Sequence, residues 1–151
     1  MIDILQPVIA LAAWTMVMWL WMYATRLPAM SRAKVDPDSL ARDPDASLDR
    51  ALPVDVQWKA HNYNHLHEAP TVFYTVMLTL ALLTTQAALT NAGEELVAIL
   101  GWAYVALRIA HSLVQALVNK VVVRFALFAL SSLVLIALVA LTAIAAFTMP
   151  T

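Results

Sequence analysis

Long apolar runs alternate with short polar stretches along the chain. Residues 4–25 carry no charge, and neither do residues 69–89 or 125–148; residues 96–118 are apolar except for Arg108, His111 and Gln115. A helix needs about 20 mainly apolar residues to cross a bilayer, so the pattern predicts four spanning helices at these positions. The second helix should start earlier, near Pro53 or Val54, because a proline suits a first helical turn. It stays polar to Glu68 and then turns apolar. Unbroken, it would be on the order of 50 Å long, against a hydrocarbon layer of roughly 30 Å, so its first part should stand at or beyond the headgroups. Pro70 sits one turn into the apolar part and should kink the helix or leave a backbone carbonyl unpaired.

Between the spans, residues 28–53 are rich in Asp, Arg, Ser, Pro and Ala and read as a solvated connector with room for a short helix. Asp-Pro pairs at 36–37 and 43–44 mark expected turns. Residues 90–95 read as a short loop, with Asn91 and Gly93 as turn residues. The hydroxyls of Ser131, Ser132 and Thr142 in the last span can bond to their own helix and need no further role.

Composition agrees with this picture. Hydrophobic residues make up 62% of the 151 positions and charged residues 13%, and the mean hydropathy is +0.76. The expected fold class is therefore an all-α integral membrane four-helix bundle forming one domain, 1–151. A net charge of −1 gives no reason to expect nucleic acid as a partner. Cysteine is absent, which excludes disulfides, thiolate nucleophiles and thiolate metal sites. Gly93 and Gly101 are the two glycines, too few for a Gly-rich phosphate loop.

The bases fix an orientation. Arg26, Arg32, Lys34, Arg42, Arg50, Lys59, Lys120 and Arg124 all fall in the first connector, the last turn or the adjoining helix ends. By the positive-inside rule that side faces the cytoplasm and both termini face the periplasm or lumen. The first span reads as a retained helix rather than a cleaved signal peptide, because Arg26, Arg32 and Lys34 follow it and only Asp3 precedes it.

The candidate chemistry lies near the cytoplasmic boundary, in residues 57–74 and on the third span. His61, Asn64, His65 and Glu68 recur at helical spacing and form one stripe. Arg108, His111 and Gln115 form another. Arg108 stands about 15 Å inside its helix end, where an unpaired guanidinium is costly. Glu68 borders the apolar part of its span on the base-rich side, whereas Asp3 and Glu95 border theirs on the other, so a pair between Glu68 and Arg108, within or between subunits, is the economical arrangement. A single pair would not need the other polar residues, and a polar wall between helices is how a bundle makes a pocket. Three readings stay open from the residues: a polar ligand pocket, a purely structural ion pair, and a metal site on His61 and His65, spaced i, i+4.

Asn62, Tyr63, Leu66, Glu68-Ala69-Pro70 and Phe73-Tyr74, followed by Ala106-Leu107-Arg108, His111-Ser112 and Asn119 with Arg124 and Phe125, resemble the bacterial branch of the MAPEG superfamily, the membrane-associated proteins in eicosanoid and glutathione metabolism. The resemblance implies a homotrimer of four-helix subunits in a bacterial inner membrane, with glutathione as co-substrate held between subunits near the cytoplasmic face. It matches Arg26, Glu68, Arg108 and His111 to glutathione-binding positions and Arg124 to the arginine that favours the thiolate. Transfer of glutathione to hydrophobic electrophiles, or reduction of lipid hydroperoxides, is the implied activity. The chain departs from the family pattern at His61, where an arginine is usual, at His65, where an asparagine is usual, and at Gln115, where a tyrosine is usual. The family also contains a lipid-binding scaffold without catalysis, so a cleft that binds a lipid or partner is the alternative.

Overall fold

The computed structural model describes residues 2–36, 38, 42, 47–85 and 90–148. Pro37, the turn expected at 43–44 and the end of the second span, 86–89, lie outside the described residues, while Asp36 Oδ1 accepts from the Asp38 N–H at 3.1 Å. Among the described residues the chain is helical without strands: α1 (Ile2–Arg32), α2 (Leu48–Ala51), α3 (Val54–His65), α4 (Ala69–Thr85), α5 (Asn91–Leu117) and α6 (Val121–Phe147). Four segments are long and apolar enough to cross a membrane: α1, α3 with α4, α5 and α6. The chain is an integral membrane four-helix bundle, as its apolar pattern predicts.

The bundle interior follows helical periodicity. On α1, Ile4, Pro7, Leu11, Thr15, Met18 and Met22 are buried, at steps of three and four that form one seam. The seam packs against α3, α4 and α5, while α6 packs against α4 and α5. Phe73 of α4 stacks on Tyr104 of α5 with ring centroids 4.4 Å apart and planes 15° from parallel. Gly101 lies where α1, α4 and α5 meet. A Cβ there would stand 2.8 Å from Met77 Cε and 2.9 Å from Pro7 Cγ, so a side chain would force the helices apart.

The outer surface is as apolar as the interior. Val122 is 82% exposed, Phe125 69% and Phe147 89%. Such a surface on α6 is suited to lipid rather than water. Closed helices satisfy their own backbone groups, the condition for standing in hydrocarbon.

Three element boundaries differ from the sequence expectation. First, α1 runs through Pro28 to Arg32 rather than ending near 25. Ala29, Met30 and Arg32 are good helix formers, and the helix stops where Lys34 takes a left-handed φ of 49°. There Lys34 N–H donates to the Ser31 carbonyl (3.2 Å) and Val35 N–H to that of Met30 (3.1 Å), the paired bonds of a Schellman stop. Second, the expected loop at 90–95 is largely the first turn of α5, because Thr90 caps it: the Gly93 N–H donates to Thr90 Oγ1 at 3.2 Å. Third, the expected kink at Pro70 is a complete interruption. Residues 66–68 leave the helix, and α4 restarts with Pro70 in its first turn.

Candidate functional site

The interruption at 66–68 builds the site. Pro70 has no N–H, and its ring opposes helical approach of the carbonyl four residues earlier, that of Leu66. The chain tightens instead into three-residue turns, with His67 N–H on the Asn64 carbonyl (2.9 Å) and Glu68 N–H on that of His65 (3.4 Å). An unbroken helix would give the His65 carbonyl to Ala69 N–H. Here it accepts from Arg108 Nη2 of α5 at 3.0 Å.

Arg108 is 1% exposed. Among the described residues its Nε and Nη1 find no hydrogen-bond partner, and the same holds for Asn62 Nδ2, the Tyr104 hydroxyl, Ser112 Oγ and Gln115 Oε1, all buried. Most of these atoms are donors. A buried, donor-rich cluster around one cation favours an anionic group.

Glu68 does not reach Arg108 within the chain. Its carboxylate lies on the outer side, 64% exposed, with Oε2 2.8 Å from Nδ1 of His65. The His65 ring in turn stands 5.9 Å from the ring of His111, centroid to centroid, at 65°. His65 and His111 line a cavity of about 240 Å³ together with Val121, Arg124, Phe125 and Phe128 of α6. Arg124 is positioned by the turn before its helix. Asn119 adopts φ 53°, a left-handed conformation that asparagine tolerates, and its Oδ1 accepts from Arg124 Nη1 at 2.6 Å.

The expected residues therefore divide. His65, His111 and Arg124 meet at one cavity, with Glu68 bonded to His65 and Arg108 bonded to its carbonyl. Gln115 is buried one turn beyond His111. Arg26 is half-buried on α1 and His61 is exposed on α3, and neither lines the cavity. The two polar stripes meet through His65, whose carbonyl accepts from Arg108 and whose ring stands beside His111. His61, Asn64 and Glu68 are exposed, while α3 turns Val56, Lys59, Ala60 and Asn62 inward. Among the described residues no group of three or more His, Asp or Glu is placed to hold a metal ion.

Asn62, Tyr104 and Ser112 are buried polar residues to which the sequence reading gave no place in the cluster. Spacing was the available signal: Tyr104, Arg108 and Ser112 recur every four residues on α5, on one face. Two larger concavities lie elsewhere. One, of about 520 Å³, is lined by Asp3, Glu94, Glu95 and Trp102 among others. The other, of about 710 Å³, lies between the end of α1 and the start of α3, with Arg32 and Asp55 in its wall. Neither joins several bases, as the small cavity and its surroundings do.

The model of the MAPEG family matches residues 4–144 of the chain. No curated protein and no solved structure matches it.

Proposed function

Since the chain belongs to the MAPEG family, we propose that it is a membrane-embedded transferase or peroxidase that uses glutathione, or a related thiol, against hydrophobic electrophiles or lipid hydroperoxides. The observation that carries this reading is Arg108, a buried guanidinium with two unpartnered donor nitrogens beside His111 and close to a cavity shared by His65 and Arg124. Glutathione brings two carboxylates, an ammonium and a thiol. Carboxylates suit the free donors of Arg108, an ammonium suits the exposed carboxylate of Glu68, and a thiolate is stabilised by a cation such as Arg124. Val121, Phe125 and Phe128 give the same cavity an apolar wall toward lipid, where a hydrophobic co-substrate would enter.

In this reading the protein is a homotrimer with the site near the cytoplasmic face, in an inner membrane. The exposed stripe of His61, Asn64 and Glu68 then faces a neighbouring subunit, and Arg26 and His61 reach the ligand across that contact. The positions of the bases along the chain support the orientation.

Light scattering in detergent should return the mass of three chains, and titration calorimetry on that species should detect glutathione. Glu68→Gln should weaken affinity roughly tenfold, as expected for a lost charged contact of about 1.4 kcal/mol. Arg124→Ala should lower turnover by at least about tenfold with little change in affinity. A folded trimer that gives no heat with glutathione, or retains co-purified lipid and shows no thiol-dependent turnover, rejects the enzyme in favour of a lipid-binding protein.

A further inference from the structure

Glu68, His65 and the cavity form a sequence of contacts that thiol binding alone does not require. The carboxylate oxygen of Glu68 is 2.8 Å from Nδ1 of His65. A carboxylate accepts, so this contact places the imidazole proton on Nδ1 and leaves the Nε2 lone pair free. His65 lines the same cavity as Arg124. An acid that sets the tautomer of a histidine lining a cavity is the arrangement that general-base catalysis uses.

We propose that His65 is the general base of this site, oriented by Glu68, and that it removes the proton of the bound thiol. The inference rests on the thiol-transferase reading above. In the step, the S–H bond breaks and its proton passes to His65 Nε2. The electron pair left on sulfur, stabilised by Arg124, forms a bond to the electrophilic carbon of a co-substrate bearing a leaving group. The leaving group departs with its bonding pair, and the proton then passes from His65 to solvent or to that group. Charges and atoms balance with one thiol and one electrophile as reactants.

His111 is the other histidine of the cavity. It is 2% exposed, and among the described residues no carboxylate is paired with it, so its tautomer is not set in the same way. The charged and titratable groups around His65 are Glu68 in the following turn, Arg108 and His111 from α5, and Arg124 in the first turn of α6; α1, which packs along α3, carries Arg26 and Arg32 at this end. Of these, Glu68 is the acid.

The test is conjugation of glutathione to chlorodinitrobenzene by the detergent-solubilised full chain. His65→Gln should lower kcat by about 10²- to 10⁴-fold at neutral pH, the usual contribution of a general base, with the KM for glutathione within about twofold. The deficit should shrink as pH rises toward ionisation of the thiol itself, and added imidazole should restore part of the turnover of His65→Ala. A merely structural role predicts a loss independent of pH and no imidazole rescue, which would overturn the proposal. Equal turnover by wild type and His65→Gln would overturn it too while leaving the thiol-transferase reading intact. Wild-type protein without thiol-dependent turnover would remove both.

Discussion

At the scale of single residues, the site is defined by which polar atoms are left without partners. Arg108 is held by one neutral acceptor, the His65 carbonyl, and its remaining donors are buried and unpaired. Burying a charge under such terms costs stability that binding can recover. Arg108→Met should therefore leave the Tm of the ligand-free protein unchanged or higher by a few degrees, while glutathione affinity falls roughly tenfold or more, consistent with the loss of charge-assisted bonds worth about 1.5–3 kcal/mol. Thermal-shift and calorimetric titrations of the same preparation separate the two effects. If Tm falls steeply, Arg108 is a structural residue.

Asn119 gives a second test at this scale, because it does two separable things. Its left-handed φ makes the turn, and its side chain holds Arg124. Glycine adopts the same φ without strain, so Asn119→Gly should preserve the turn and keep stability within about 1 kcal/mol of wild type, yet release Arg124. Turnover should fall roughly 5- to 30-fold, equivalent to about 1–2 kcal/mol of lost positioning. Steady-state rates beside a denaturation curve decide it.

The element that matters most is the broken second span. A helix continuous from 54 to 85 would aim the His65 carbonyl along its own axis at the Ala69 amide, whereas in the break it accepts from Arg108 Nη2 at 3.0 Å beside a longer bond of 3.4 Å from the Glu68 amide. Pro70 thus acts at a distance from the ligand, by holding the break in which this carbonyl turns toward a guanidinium on another helix. Pro70→Ala should let the break close: the Ala69 amide should become protected from hydrogen exchange as it bonds to His65, the bond from Arg108 should weaken as the carbonyl turns along the helix, and glutathione affinity should fall at least about fivefold. Retained fast exchange at Ala69 would show that the break is held by packing of Leu66, which is 1% exposed, and not by proline.

At the scale of the whole molecule, the bundle has two chemically different ends. The bases of the α1 terminus, the connector and the turn before α6 lie at one, and Asp3, Glu94 and Glu95 gather around a concavity at the other. Because the chain has no cysteine, single introduced thiols report topology without background. In intact cells a membrane-impermeant maleimide should label Glu95→Cys and spare Ala33→Cys, both of which are exposed positions. The reverse pattern would invert the orientation and put the site on the opposite face of the membrane.

Apolar run length determined most of the architecture from the sequence alone. Residues that must leave water together over about 20 positions have helices as their available form in a bilayer, so the four spans were legible without tertiary information. The family was legible too, in the ordered motifs around Glu68-Ala69-Pro70 and Arg108 to His111. Helix ends were read less well, since Thr90, Lys34 and Pro70 act through backbone bonds that periodicity does not encode. Tertiary structure alone decided the pairings. Equal helical spacing put His61, Asn64, His65 and Glu68 on one stripe, but spacing has no information about what that stripe faces. Packing of α3 against α1 and α5 turned Asn62 inward and left Glu68 outside. It gave Arg108 a backbone carbonyl as partner within the chain in place of Glu68, and it brought His65, His111 and Arg124 from three separate segments to one cavity. Contacts between helices depend on rotation and breaks accumulated over the whole bundle, and those are settled by packing.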